Sequence, residues 1–201
     1  MYNLIKIIDI LNNNGIVLIP TDTVYGLISA PLHNSVTKLL NIKQREKNAF
    51  GIVVNNIEMA KRIAIFDNNS EILFNKIFPG YFTLILKAND YAINNFAEKI
   101  FGFNNETKTI GIRMINSKIC NNIINKTNYP LVATSANISG SPTPANFKNI
   151  ETEIINNVDY IYKNDNIKTS KIGSTILDFS SYKKINIIRK GLGDISFLNI
   201  N

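Results

Sequence analysis

Five short apolar runs rich in β-branched residues interrupt the chain at uneven intervals, over residues 16–19, 51–54, 83–86, 109–112 and 131–134. Each has the length and composition of a buried strand. Helical periodicity fills several of the gaps. Leu4, Ile7, Ile8 and Leu11 recur at helical spacing until Asn12-Asn13-Asn14-Gly15 ends the pattern, and Pro20 is expected to stop the strand that follows. Val36, Leu39 and Leu40 give a second helix, over 35–42, its apolar face. Residues 57–65, 70–78, 117–124 and 147–155 also read as helical, with Pro79-Gly80 as a strong breaker. The stretch 89–108 reads as a polar loop region, and three more short strands are expected near Tyr160, over 174–178 and over 185–188. Some strands follow one another too closely for crossover helices. The pattern therefore predicts the α/β class, with a mixed sheet flanked by helices rather than a regular doubly wound one.

At 201 residues, with 45% hydrophobic and 18% charged residues, the chain is long and apolar enough for one domain, expected to span 1–201. Its 22 Lys and Arg against 15 Asp and Glu give a formal charge of +7. That excess suits nucleotide phosphates or nucleic acid as partners, though on charge alone simple solubility accounts for it better. No basic arm or aromatic RNA-binding signature accompanies it. Cys120 is the one cysteine and His33 the one histidine, which excludes an internal disulfide and a Cys/His zinc site. The first residues lack the apolar core of a signal peptide, and no run reaches membrane-spanning length, so a cytoplasmic location without membrane contact is expected.

Polar clusters recur where strands end, which is where α/β sheets place their sites. Pro20-Thr21-Asp22-Thr23-Val24-Tyr25-Gly26-Leu27 crowds two hydroxyls and a carboxylate just after a strand. Such a cluster can hold a polar ligand or simply cap a turn. Lys43-Gln44-Arg45 closes the second helix, where the two cations either complement the helix dipole or clamp a polyphosphate. Pro79-Gly80-Tyr81-Phe82-Thr83 opens a strand with a turn. In Thr109-Ile110-Gly111-Ile112-Arg113 a strand delivers an arginine unpaired by its neighbours in sequence, able to receive a carboxylate or to face solvent. Thr134-Ser135-Ala136-Asn137-Ile138-Ser139-Gly140 packs hydroxyls and an amide after another strand, and Gly173-Ser174-Thr175 and Ile188-Arg189-Lys190-Gly191 place small polar residues and an arginine beside strands. A phosphate loop, a complete GxGxxG, H-E-x-x-H and G-x-S-x-G are all missing. His33, between Leu32 and Asn34 at a loop-to-helix junction, reads as a surface or capping residue rather than a base.

In this order, from about Gly15 to Gly191, the motifs resemble those of the threonylcarbamoyl-AMP synthases, the YrdC/Sua5 type also called TsaC in bacteria, in their short single-domain form. The resemblance implies a YrdC-like open, twisted mixed sheet with flanking helices around a deep basic cavity. It implies joining of L-threonine, bicarbonate and ATP into threonylcarbamoyl-AMP with release of pyrophosphate, Mg²⁺ accompanying the ATP. Downstream threonylcarbamoyl-transfer proteins would then modify adenosine 37 of tRNA. By position, Lys43 and Arg45 resemble the triphosphate-binding pair and the catalytic cations; Thr109, Asn137 and Arg189 would complete the ATP site. Thr23, Arg113, Ser135 and Ser174 would hold L-threonine, Arg113 by its carboxylate. No protein-held metal is implied. The chain departs from the family pattern at Glu46, Val54, Tyr81, Asn116 and Ala145. A hydrogenase-maturation relative acting on carbamoyl phosphate would need zinc fingers that one cysteine cannot build. From another class, a non-catalytic RNA-binding module with a basic concave surface fits the charge, and direct RNA or tRNA binding is compatible with either reading.

Overall fold

The computed structural model describes residues 3–45, 50–104, 107–144, 146–164, 170 and 172–198. Two positions of the family comparison, Glu46 and Ala145, lie outside them. Helix α1 (Leu4–Asn12) starts where the Asn3 side chain accepts the Lys6 amide at 3.0 Å, and buries Ile7 and Leu11. A hairpin follows, β1 (Val17–Pro20) and β2 (Tyr25–Ser29), then α2 (His33–Lys43), β3 (Gly51–Val53), α3 (Ile57–Lys61) and α4 (Asn68–Ile77). A reciprocal Asp67–Ser70 capping box starts α4, satisfying amides that the first turn leaves without partners. Next come β4 (Phe82–Lys87), α5 (Asp90–Asn95), β5 (Gly102–Asn104), β6 (Thr107–Arg113), α6 (Lys118–Thr127) and β7 (Leu131–Ser135). The chain continues through α7 (Thr152–Asn157), β8 (Tyr160–Ile161), β9 (Thr175–Asp178) and β10 (Asn186–Arg189). His33 is exposed on the first turn of α2, as its sequence position suggested. No helix among the described residues is long and apolar enough to cross a membrane.

Two sequence expectations need correcting, and one strand lacks a local sequence signal. The stretch 89–108 is not a loop: it holds α5, a 3-10 turn at Glu98–Ile100, β5 and the start of β6. Asn89 caps α5 by accepting the Ala92 amide, so a polar residue that reads as loop is a helix signal. Beyond the turn at 21–24, Tyr25–Ser29 forms a fully buried strand that the sequence pattern does not announce, its apolar residues being interrupted by Gly26. Finally, the single helix expected over 147–155 is split into a 3-10 turn, Phe147–Asn149, and α7.

The strands join one mixed sheet in the order β10-β9-β4-β6-β3-β7-β2-β1-β8, with β5 also paired to β6. β3–β6, β4–β9 and β1–β8 are parallel and the other pairs antiparallel. The open, mixed architecture matches the sequence expectation. Its register aligns Leu177, Leu84, Ile112, Ile52 and Val132 in one cross-strand row, and all five are fully buried. The adjacent row is Asp178, Ile85, Gly111, Gly51 and Ala133. Because successive side chains point to opposite faces, this second row belongs to the other side of the sheet. Its centre has almost no side-chain bulk, and a cavity opens there.

This parity has a measurable consequence. Ile52→Ala removes atoms from the packed row and should cost about 2–5 kcal/mol in urea unfolding. Ile85→Ala, on the cavity row, should cost clearly less; equal losses would contradict the two-faced reading.

Candidate functional site

The cavity over the second row measures about 1190 Å³. β4 presents Thr83 and Ile85 to it, β6 presents Thr109, Gly111 and Arg113, and β9 presents Ile176 and Asp178, each set at the period-two spacing of a strand. All nine residues singled out from the sequence, Thr23, Lys43, Arg45, Thr109, Arg113, Ser135, Asn137, Ser174 and Arg189, line this one space. With Lys190 they bring five Lys or Arg side chains to it, against one carboxylate, Asp178, among the described lining residues.

The hairpin loop 21–24 builds the first corner. Thr21 Oγ1 donates to the Val24 carbonyl at 2.6 Å and accepts the Val24 amide at 3.2 Å, so this hydroxyl is spent on the turn. Thr23 lines the cavity, and Thr21 does not. Arg113, at the end of β6, reaches the same corner, with Nη2 3.5 Å from Thr23 Oγ1 and 3.3 Å from Asp22 Oδ1. The arginine that looks unpaired in sequence thus has a counter-ion 91 residues away. Burial raises the Asp22 carboxyl above its ordinary range against the pull of Arg113, and burial likewise lowers Arg113. Desolvation outweighs attraction in both, the usual balance for ion pairs taken out of water.

Lys43 and Gln44 shape the second corner. α2 ends at Lys43, and Gln44 adopts a left-handed conformation (φ 47°, ψ 49°) that turns the chain back. Lys43 is only 2% exposed. Its Nζ donates to the Ser135 carbonyl at 2.7 Å, to the Asn137 carbonyl, and to Asn137 Oδ1 at 3.3 Å. An ammonium has three N–H groups, and these acceptors use them all. Burial, reinforced by the nearby Arg45 charge and partly offset by Glu151, lowers Lys43 to about 8. Arg45 lies over the Phe50 ring at 5.5 Å, within reach of a cation–π contact.

Asn137 folds the turn after β7. Its Nδ2 donates to the carbonyls of Ile138 (2.9 Å) and Ser141 (2.8 Å), while Gly140 takes φ +91°, a value a side chain rarely tolerates. The amide expected to contact a nucleotide is therefore also the brace of its own loop. The third corner joins β4, β9 and β10. Ser174 Oγ lies 2.8 Å from Thr83 Oγ1, and Arg189 donates to the Ser174 carbonyl from Nε (3.1 Å) and Nη2 (2.8 Å). A register shift between Ile187 and Arg189 re-aims the arginine off the regular ladder.

Sequence reasoning gave no role to Asp178, Asn186, Ile188, Phe50 or Thr143, which also line the cavity. The parity of β9 and β10 carries that signal for Asp178, Asn186 and Ile188; Phe50 and Thr143 come from loops, where no periodicity operates.

Comparison with known proteins agrees with this architecture. The profile of the Sua5/YciO/YrdC family, described as "Telomere recombination", matches residues 9–191. The chain is 33% identical over 182 residues to the putative threonylcarbamoyl-AMP synthase of Methanocaldococcus jannaschii, covering 90% of this chain and 81% of that protein. It is 32% identical over 161 residues to the threonylcarbamoyl-AMP synthase of Wigglesworthia glossinidia brevipalpis, covering 76% and 77%. The structure of P. abyssi Sua5 complexed with L-threonine superposes with a TM-score of 0.81 at 24% identity, over 94% of this chain and 54% of that one. This chain thus spans about half the length of that protein. One cavity gathers motifs scattered through the chain, and the profile covers all of them: this protein belongs to the Sua5/YciO/YrdC family.

Proposed function

We propose that this chain is a threonylcarbamoyl-AMP synthase, a nucleotidyltransferase that makes L-threonylcarbamoyladenylate and pyrophosphate from L-threonine, bicarbonate and ATP for tRNA modification. The observation that carries the reading is the convergence of Thr23, Lys43, Arg45, Thr109, Arg113, Ser135, Asn137, Ser174 and Arg189 on a single cavity. The relatives named for this activity, and the one solved with L-threonine, support it. In this reading residues 1–201 act as one catalytic domain in the cytoplasm, and its product passes to separate transfer proteins.

The chemistry needs no protein nucleophile. The amine of threonine attacks the carbon of bicarbonate and a water is lost, giving a carbamate; a carbamate oxygen then attacks the α-phosphorus of ATP, and the bond to pyrophosphate breaks. Cys120 is fully buried with its thiol pushed up to about 12, and His33 is exposed outside the described cavity lining, so neither is placed to act. Positioning and charge remain, and holding reactants in place supplies on the order of 7–11 kcal/mol in favourable cases. Arg45 would grip the leaving phosphates through its fork, while Lys43, its N–H groups bonded to the wall, would act through its charge. Arg113 would take the threonine carboxylate, with Thr23, Ser135 and Ser174 supplying hydroxyls around the rest of that substrate. Thr109, Asn137 and Arg189 would border the nucleotide. A site that hydrogen-bonds a substrate hydroxyl rejects analogues without one. Magnesium would accompany the ATP phosphates as part of the substrate.

Arg45→Ala should lower threonine-dependent pyrophosphate release by at least about 100-fold, in the range seen when a charge-stabilising donor is lost. Circular dichroism should report an unchanged fold. Pyrophosphate release at the normal rate would remove the clamp from the mechanism.

Lys43 generates a pH prediction. Its value near 8 lies below its ordinary 10.5, so the folded protein binds fewer protons than the unfolded chain between those values. Stability contributed through this group therefore rises with pH across that window, because the cost of burying the ammonium is relieved. A bound polyphosphate favours the charged form instead. Binding of ATP near pH 8 should then take up protons, measured by calorimetry in buffers of different ionisation enthalpy. Uptake should fade by pH 6.5 and be absent in Lys43→Met; the same uptake in that variant would assign the proton elsewhere.

A further inference from the structure

Asp22 is the one cluster residue of the hairpin loop whose charge the proposed chemistry does not use. Its side chain is 5% exposed and that of Arg113 is 13% exposed. One carboxylate oxygen meets Arg113 Nη2 at 3.3 Å, and the other accepts the Asn116 amide at 3.2 Å. The loop is thereby tied both to the end of β6 and to the segment leading into α6. Arg113 lines the large cavity, whereas Asp22 borders a second one of about 620 Å³ with Thr21, Asn116 and Ser117. Asp22 therefore approaches the guanidinium from outside the site. It engages only one terminal nitrogen, and Arg113 Nε is buried without a hydrogen-bond partner.

We propose that Asp22 is a positioning residue: it holds the Arg113 guanidinium from behind, so that its remaining donor capacity is presented to the carboxylate of an amino-acid substrate in the large cavity. This rests on the reading of Arg113 as the carboxylate receiver. Two effects oppose each other when the Asp22 charge is removed. A freed Arg113 charge would attract a carboxylate more strongly if the side chain stayed in place. Staying in place, however, leaves a buried cation without its counter-ion, which is costly, while the flexible arginine stem borders a cavity roomy enough to hydrate it. Displacement wins, and carboxylate binding weakens.

Steady-state kinetics on the full chain separates the outcomes. Asp22→Asn should raise the KM for L-threonine roughly tenfold or more while kcat and the KM for ATP stay within about twofold, the pattern of lost substrate binding. A merely structural Asp22 would lower the active fraction and leave both KM values alone, which would overturn the proposal. So would an unchanged or lower KM for threonine. If Asp22→Asn fails to fold, Asp22→Glu keeps the charge and displaces it by one methylene; the same selective KM rise supports the inference, and its absence overturns it. Arg113→Ala, measured in parallel, isolates the underlying reading. If it leaves the threonine KM unchanged, the carboxylate assignment itself fails. A raised KM in Arg113→Ala with none in the Asp22 variants rejects only the positioning role.

Discussion

A β-strand can show a residue to one face of its sheet only by showing the next to the other, and this constraint organises the protein. Leu177, Leu84, Ile112, Ile52 and Val132 fill one side with packed hydrocarbon. The same strands, one residue further along, must then present something to the opposite side. Here they present Asp178, Ile85, Gly111, Gly51 and Ala133, whose small central members leave room rather than fill it. A Cβ added at Gly111 would come within 3.1 Å of the Thr83 methyl, and one at Gly51 within 3.3 Å of the Arg113 stem. The floor of the cavity is thus already at contact distance with the side chains that give it chemistry.

Around that floor the polar groups hold one another before they hold any ligand. Lys43 ties the end of α2 to the turn beyond β7, Arg189 ties β10 to Ser174, and Arg113 ties β6 to the first hairpin. Lys43 and Arg113 span elements distant in sequence, while Arg189 bridges consecutive strands. Preorganisation of this kind limits the rearrangement needed when charge develops during a reaction. It also distributes the cost of desolvation over carbonyls and one carboxylate instead of leaving buried charges bare.

Much of this was legible in the residues, and the failures share a cause. Strands such as 83–86 and 109–112 are short runs of β-branched and aliphatic residues, so local pattern suffices. β2 escaped because Gly26 breaks its apolar run and because its neighbour, the loop 21–24, has a turn-like composition. α5 and β5 escaped because they are only six and three residues long, too short for periodicity to show, and their order comes from the Asn89 cap and from pairing with β6. The site residues could be named through ordered motifs, yet their partners could not. Nothing in the sequence near Arg113 indicates Asp22, and nothing near Lys43 indicates that the carbonyls of Ser135 and Asn137 will accept its hydrogen bonds. Such pairings are tertiary facts, set by strand order.

The left-handed Gln44 gives the spacing of Lys43 and Arg45 a different meaning. Two cations separated by one residue on a continuing helix would diverge by about 200°, since each residue turns the helix by roughly 100°. With the middle residue reversed, the backbone folds back on itself and both charges line the same space. The intervening position must therefore meet a conformational requirement, whatever its side chain contacts. Residues branched at Cβ would be penalised there, whatever their polarity, and the motif is best understood as a hinge of fixed handedness carrying a charge on each leaf.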